Sequence, residues 1–224
     1  MTLLSIEALR VKLQSVEVLR GVSLSLGVGE MVGLLGRNGA GKTTTLRAVM
    51  GLVASSGGRI DCAGEDLMAL STHRRAALGI GYMPEDRRLV PQLSVEENIL
   101  LPSWATHAGD AATRLDFVYG LMPEVAAMRH RKPLVLSGGQ QKLVALARAL
   151  AVGRRVLLLD EPFEGVAPAL SRRLAEVIGA LRGKELGVLI AQSDLNHSVK
   201  LLDREYVIER GANRDRTAPQ VRPQ

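Results

Sequence analysis

Residues 31–44 read MVGLLGRNGAGKTT, and their pattern indicates the class of fold. Residues 30–35 form a short apolar run, which predicts a buried β-strand. A glycine-rich loop follows at residues 36–41, and residues 42–50 favour a helix that Gly51 can end. A strand, a tight loop and a helix in immediate succession are typical of an α/β protein.

The loop fits the phosphate-binding pattern G-x-x-x-x-G-K-[ST] through Gly36, Gly41, Lys42 and Thr43. Glycines let backbone N–H groups point at phosphate oxygens, the Lys42 ammonium reaches the β- and γ-phosphates, and the Thr43 hydroxyl can ligate Mg²⁺. A glycine-rich turn with a helix-capping lysine is the alternative, and the position between a buried strand and a helix disfavours it. The predicted nucleotide-binding residues here are Gly36, Arg37, Asn38, Gly39, Ala40, Gly41, Lys42, Thr43 and Thr44.

Two further aliphatic runs, at residues 156–159 and 188–191, predict buried strands of a parallel sheet that is covered on both faces. The first run ends at Asp160 and Glu161. We expect its strand to lie beside the phosphate-loop strand, where Asp160 can orient Mg²⁺ and Glu161 can activate the attacking water. Because acidic turns after strands are common, this assignment depends on the phosphate loop upstream.

A third segment, LSGGQQ at residues 136–141, reads as the start of a helix with Ser137 as its N-cap. The following apolar residues fall on one helical stripe, and they are Leu143, Leu146, Ala147, Leu150 and Ala151. Since helix N-termini attract anions, this one could meet a phosphate. Taken alone, the segment is more simply an ordinary capped helix.

Together the three segments resemble the ATP-binding cassette family. Residues 36–43 look like its Walker A, 136–140 like its LSGGQ signature, and 156–161 like its Walker B with the catalytic Glu161. The resemblance covers residues 18–211. It implies a P-loop NTPase in one domain, with a RecA-like parallel-sheet core and a small antiparallel β portion at 1–90 and 154–210 and a helical insert at 91–153. Residues 211–224 carry several arginines and prolines and almost no apolar residues, so we expect a flexible tail there.

The resemblance also implies the ligands and the partners. ATP and Mg²⁺ are expected, with two copies enclosing two ATP molecules, each between the Walker A of one copy and the signature of the other. The second ATPase subunit would be homologous or identical. The signature residues predicted to contact ATP are Ser137, Gly138, Gly139 and Gln140.

A closer resemblance rests on GYMPEDRR at 81–88, LSVEEN at 93–98 and GVAP at 165–168. These segments look like the branch that powers import of branched-chain amino acids, related amides and urea. That branch implies transmembrane permease subunits, a solute-binding protein and a place on the cytoplasmic face of the plasma membrane. Arg87 and Arg88 could grip an acidic permease loop or serve elsewhere.

Four positions depart from the wider family, and they are Leu13, Glu85, Ala167 and Ser193. Leu13 stands for the aromatic residue that stacks on adenine, and Glu85 for the glutamine that reaches the metal in the coupling loop. Ala167 replaces an aspartate of the dimer contact. Ser193 replaces the switch histidine, with Gln192 and His197 as nearby alternatives.

Composition limits the competing functions. The 224 residues carry 29 basic and 23 acidic side chains, a formal net charge of +6, which fits an anionic partner but is more often a solvated surface. One cysteine, Cys62, excludes an internal disulfide, and neither a secretion signal nor an apolar run of roughly 18 residues is seen. We expect no nucleic-acid partner. The alternatives are a soluble cassette ATPase acting on nucleic acid or ribosomes and a degenerate regulatory ATP-binding subunit.

Overall fold

The computed structural model describes residues 1–107, 109–193 and 201–216, which form an α/β fold. The strands are β1 (Thr2–Leu13), β2 (Val16–Gly27), β3 (Met31–Leu35), β4 (Gly57–Cys62), β5 (Glu65–Asp66), β6 (Ile80–Met83), β7 (Val156–Asp160), β8 (Gly187–Gln192), β9 (Arg204–Glu209) and β10 (Ala212–Asp215). The helices are α1 (Lys42–Val49), α2 (Thr72–Ala77), α3 (Val95–Ala105), α4 (Ala111–Leu121), α5 (Pro123–Ala126), α6 (Gly138–Val152) and α7 (Pro168–Gly179). No helix in these described ranges is long and apolar enough to cross a bilayer.

The larger sheet has the strand order β10-β9-β3-β8-β7-β6, and its strands are parallel except for β10 at the edge. The predicted strands at 30–35, 156–159 and 188–191 are therefore confirmed as members of one parallel sheet. Our expectation that the Asp160 strand neighbours the phosphate-loop strand is wrong, because β8 lies between β3 and β7. Hydrophobic runs predict which segments are strands, but they carry no information on the order in which crossover helices place them.

Side chains of the central strands alternate between two cores, one on each face of this sheet. Along β7, Leu157 and Leu159 belong to the core under α6 and α7, while Val156 and Leu158 belong to the core that β1, β2 and α1 cover. Strand side chains point to opposite faces in turn, so a strand that is covered on both sides must be apolar throughout. This explains the continuous aliphatic run at 156–159.

A second, antiparallel sheet with the order β2-β1-β4-β5 covers one face of the parallel sheet. Its two long strands pair over nearly their full length, from Thr2 opposite Gly27 to Leu13 opposite Val16. Inward side chains such as Leu4, Ile6 and Leu24 are buried and join the core that contains α1. The layer thereby fixes the position of α1 and of the loop before it.

Helices α3 to α6 fill residues 95–152, and the described part of this segment contains no strand. A capping box at Ser94 and Glu97 starts α3, and the buried Asn98 side chain bonds the Val90 N–H and carbonyl, which holds the preceding loop against α3. The five predicted core residues of α6 are all buried, and they are Leu143, Leu146, Ala147, Leu150 and Ala151. Val144, Ala145 and Ala149 between them are buried too, so α6 is enclosed on more than the one predicted stripe.

The expectation of a flexible tail from residue 211 is wrong for its first part. Ala212–Asp215 form β10, which pairs with β9 across a two-residue turn at Arg210 and Gly211, both with positive φ. Such a turn matches the twist of an antiparallel pair. The polar side chains within 212–215 suggested a frayed terminus. They also suit an edge strand, because an edge strand needs little apolar surface. Residues 217–224 of the expected tail lie outside the described ranges.

Candidate active site

The phosphate loop runs from the end of β3 to the first turn of α1, and backbone geometry requires two of its glycines. A Cβ on Gly36 would lie 2.3 Å from the Ile208 carbonyl oxygen of β9, so no larger residue fits. Gly41 has φ +114°, a conformation that other residues rarely adopt. The Gly36 N–H also donates to the Gln192 carbonyl at the end of β8 (3.2 Å). The loop is thus held in place by the two strands that flank β3.

Lys42, the first residue of α1, is buried with 4% of its surface exposed. Its Nζ donates to the carbonyl oxygens of Gly36 (2.6 Å) and Arg37 (3.2 Å), and it lies 3.1 Å from Glu161 Oε1. That last contact is an ion pair without hydrogen-bond geometry, because Oε1 accepts no hydrogen bond from the described residues. The ammonium therefore lies beside the buried Glu161 carboxylate.

Glu161 directly follows β7 and has φ +47°, an uncommon conformation for a residue other than glycine. Its N–H donates to the Ala191 carbonyl of β8 (2.9 Å), which holds the turn. Its Oε2 accepts from both the N–H and the Oγ of Ser193, each at 3.1 Å. The side chain is thus fixed from both ends, by Lys42 and by Ser193.

The three predicted candidates for the switch position differ in what they contact. Of the two candidates that the structure describes, only Ser193 hydrogen-bonds Glu161. The amide oxygen of Gln192 is buried and has no hydrogen-bond partner in the described part of the chain. His197 lies outside the described residues.

Asp160, the last residue of β7, is fully buried. Thr43 Oγ1 donates to its Oδ1 (3.1 Å), and the Tyr82 hydroxyl donates to its Oδ2 (3.2 Å). Burial raises the pKa of Asp160 to about 6, the two hydroxyl donors lower it, and the charges of Glu85 and Glu161 raise it further. Burial also raises the pKa of Tyr82, with Asp160 adding to the effect. Tyr82 was not among the predicted site residues; its place at the end of an apolar segment, three residues before Glu85, was the available signal.

A cavity of about 350 Å³ opens over the loop, lined among others by Asn38, Lys42, Thr44, Glu85 and Glu161. Glu85 and Thr43 both line this cavity, and their roles as metal ligands stay predictions. Arg37 and Ala40 do not line it, and they face a separate depression beside β9.

The structure does not bring Leu13 to this cavity. Leu13 ends β1 with 43% of its surface exposed, and Val18 on β2 is the apolar residue in the lining. Sequence reasoning missed Val18, because nothing in the alternation along β2 separates it from the other apolar residues of that strand.

The donor set around Asp160 fits Mg²⁺. Thr43, Asp160 and Glu85 offer hydroxyl and carboxylate oxygens, the ligands that this ion prefers. Among the described residues no lysine or arginine forms an ion pair with Asp160, although the carboxylate is fully buried. No group of three or more acidic, histidine or cysteine residues in those ranges forms a cage. Mg²⁺ typically completes such a small protein set with water and substrate phosphates.

The signature segment lies apart from the phosphate loop of its own chain. Ser137 caps α6 as predicted, with its Oγ accepting from the Gln140 N–H (3.2 Å) while the Gln140 side chain accepts from the Ser137 N–H (3.0 Å). Gly138 and Gly139 line a different cavity of about 490 Å³, which shares Glu85 with the first. The two predicted halves of the ATP site are therefore not joined within one chain.

These features define a class of protein. The site of a P-loop nucleoside triphosphatase consists of a phosphate loop at the carboxyl end of a parallel strand and a buried Asp–Glu pair, which here lies two strands away in the sheet. The chain belongs to the ABC transporter family, whose sequence profile matches residues 19–164. It is an ATP-binding subunit with ATPase activity, which confirms ATP and Mg²⁺. The predicted permease and second-cassette partners are confirmed at the level of the family.

Individual relatives agree on the class and differ in the cargo that their names state. LptB of Haemophilus influenzae, a lipopolysaccharide export system ATP-binding protein, is 37% identical over 94% of this chain and 88% of its own. BraG of Pseudomonas aeruginosa, a high-affinity branched-chain amino acid transport ATP-binding protein, is 35% identical over 88% and 84%. A solved ATP-binding subunit of an ABC transporter superposes with a TM-score of 0.83 at 25% identity, over 96% of this chain and 90% of that one.

Proposed function

We propose that the protein is the ATP-hydrolysing subunit of a membrane importer for branched-chain amino acids or related amides and urea. It acts on the cytoplasmic face of the plasma membrane, beneath permease subunits that receive solute from a separate solute-binding protein. The segments at 81–88, 93–98 and 165–168 support this branch, as does the likeness to BraG. Residues 91–153 form the helical insert that contacts the permease.

One observation supports the catalytic assignment. At the phosphate-loop cavity, the Glu161 carboxylate forms an ion pair with the Lys42 ammonium and accepts two hydrogen bonds from Ser193. Hydrolysis needs a base that takes or orients a proton of the water attacking the γ-phosphorus, while the bond to the bridging oxygen breaks. Glu161 is the base, and Ser193 sets the orientation of its carboxylate through Oε2.

Lys42 binds the β- and γ-phosphates. Its Nζ donates to two carbonyl oxygens and forms an ion pair with Glu161, so an incoming phosphate must compete with these partners for the ammonium. The replaceable one is Glu161, because the carbonyls belong to the loop itself. Binding of ATP thus frees one oxygen of the base while Ser193 still holds the other.

Thr43, Asp160 and Glu85 hold Mg²⁺, which supplies charge neutralisation for the phosphates. Asp160 needs no rearrangement for this role, because Thr43 and Tyr82 already fix both of its oxygens. The signature residues Ser137 to Gln140 complete the site of a second subunit, in keeping with their separation from the phosphate loop of their own chain.

Mg²⁺-dependent ATPase activity of the purified protein tests the assignment. Glu161→Gln should lower the rate by about 10²–10⁴ while ATP still binds, because only the proton transfer is lost. Glu185→Gln, at an exposed glutamate, is the matched control and should leave the rate unchanged. Full activity of Glu161→Gln would move the base to another residue.

Lipopolysaccharide export is a second candidate function, favoured by the 37% identity to LptB. Reconstitution with the permease subunits separates the two. Stimulation of ATPase activity by a solute-binding protein loaded with leucine or urea supports import, whereas stimulation by lipopolysaccharide alone supports export.

A further inference from the structure

A buried lysine in the signature helix has no part in the mechanism above. Lys142 lies two residues after Gln140 in α6, with only 5% of its surface exposed. A charged side chain is rarely buried without a partner, since removing an ammonium from water costs several kcal/mol. The groups around Lys142 therefore indicate what keeps it there.

Lys142 joins the signature helix to the loop that carries the catalytic base. Its Nζ donates to the Glu164 carbonyl oxygen at 2.6 Å, three residues after Glu161. Burial lowers the pKa of Lys142, Arg87 lowers it further, and the carboxylates of Glu164, Glu161 and Glu85 raise it. Lys142 lines the 490 Å³ cavity together with Glu85 and Glu164.

Arg87 makes a second connection on the same cavity. Its guanidinium donates to the Gly138 carbonyl at 3.1 Å, at the first residue of α6. Arg148, further along α6, donates to the Arg87 and Arg88 carbonyls, which lie in a turn where both residues have positive φ. Arg87 therefore points to the signature, whereas Arg88 pairs with Asp86 and faces a groove that Leu101 and Pro102 also line. The two arginines of the DRR segment have different surroundings.

We propose that Lys142 is a positioning residue that holds the signature helix against the loop of Glu161, with Arg87 holding the same helix against the loop of Glu85. This rests on the proposed function, in which Glu161 serves the chain's own ATP and the signature serves the ATP of the second subunit. Lys142 then connects the two ATP sites of the dimer.

Lys142→Met tests the proposal, because it keeps the length and packing of the side chain and removes the donor. We expect unchanged Mg·ATP binding by the monomer, an about tenfold fall in kcat, equivalent to about 1.4 kcal/mol, and a weaker ATP-dependent dimer. Lys142→Arg should restore most of the rate. Lys132→Met removes an exposed lysine five residues before Ser137 and should behave as the unmodified protein.

The outcomes separate this proposal from the proposed function. A folded Lys142→Met protein with unchanged kcat and dimer affinity overturns the positioning role, even if its melting temperature falls. If Lys142→Met does not fold, Arg87→Gln is the test, because the exposed hydrogen bond from Arg87 to the Gly138 carbonyl can be lost without unfolding the protein. A lower kcat at unchanged ATP binding supports the proposal, and an unchanged kcat overturns it. Lack of ATPase activity in the unmodified dimer would instead reject the proposed function.

Discussion

At the scale of single residues, Ser193 and Glu161 should contribute unequally to the ATPase rate. Ser193→Ala removes the hydroxyl hydrogen bond to Oε2 of the Glu161 carboxylate, while the Ser193 N–H still donates to the same atom. A hydrogen bond to a charged group contributes roughly 1.5–3 kcal/mol, so the ATPase rate should fall by about ten- to a hundredfold at most, less than in Glu161→Gln. Steady-state rates of both variants with the permease present give the comparison. A larger loss from Ser193→Ala would mean that the serine itself acts on the phosphate.

Lys42→Ala should abolish Mg·ATP binding, because the ammonium is the main side-chain counter-charge for the β- and γ-phosphates. The variant should also lose about 3 kcal/mol of stability, since it leaves the buried Glu161 carboxylate without its cation. Equilibrium ATP binding and denaturant unfolding measure the two effects. Lys42→Ala combined with Glu161→Gln should regain much of the stability and none of the binding, and unchanged ATP affinity in Lys42→Ala would contradict the phosphate-loop assignment.

Asp160 should make stability depend on pH. Its pKa of about 6, raised by burial, lies above its ordinary value of 3.8, so the folded protein binds more protons than the unfolded chain between these values. This group's contribution to the free energy of unfolding falls as pH rises through that window and is unfavourable above it. Asp160→Asn should therefore be more stable than the unmodified protein at pH 7.5, by about 3 kcal/mol, and nearly equal at pH 4. Unfolding curves without Mg²⁺ at both pH values test this, and an equal difference at the two would refute it.

Individual site residues were predictable where a motif names them. Lys42, Thr43, Asp160 and Glu161 follow from phosphate chemistry, and the structure places all four around one cavity or against its wall. Leu13 was not predictable in the same way, since its role was inferred by likeness and its position depends on how β1 ends. Contacts such as the one from Tyr82 to Asp160 arise only when β6 and β7 pair, which local sequence does not encode.

At the scale of elements, the N-terminal turn of α6 is the most sensitive to charge. A Cβ on Gly138 would lie 3.0 Å from the Arg87 guanidinium, which can move aside, so the fold should tolerate Gly138→Asp. The added carboxylate would face the γ-phosphate of the ATP bound by the second subunit, at an energy of about 4 kcal/mol at close range. We expect monomeric ATP binding to persist and the ATPase rate to fall by about a hundredfold or more.

Gly109→Asp is the control for that variant, because a Cβ at Gly109 meets no atom within 4 Å. It adds the same charge to the same segment of helices and should leave the rate unchanged. A fully active Gly138→Asp protein would show that the signature does not complete a second site.

The elements themselves were predictable in kind more than in arrangement. Aliphatic runs predicted β3, β7 and β8, because a strand that is buried on both faces is apolar throughout, and apolar residues at helical spacing predicted α6. The edge strand β10 and the place of β8 between β3 and β7 were not predictable, since neither produces such a pattern.

At the scale of the whole molecule, ATP should control association. The phosphate loop and the signature face different cavities of one chain, so a complete site needs two chains. Sedimentation of Glu161→Gln with Mg·ATP should show a dimer, which accumulates because ATP is no longer hydrolysed and the dimer does not dissociate. When ATP is removed, the same variant should be a monomer. A Glu161→Gln protein that stays monomeric at saturating ATP would contradict the two-chain site.

The position of β3 has a consequence for the order in which a growing chain can acquire its activity. Both neighbours of β3 come from the far end of the sequence: residues 31–35 pair with 188–192 of β8, and 32–35 pair with 204–207 of β9. A nascent chain therefore carries its phosphate loop on an unpaired, wholly apolar strand until nearly all of it has left the ribosome. Such long-range pairing is slow, and until it forms the unpaired edges of the strand are exposed and prone to aggregation. ATP cannot assist the early steps of folding, and fragments that end before β8 should neither bind nucleotide nor stay in solution.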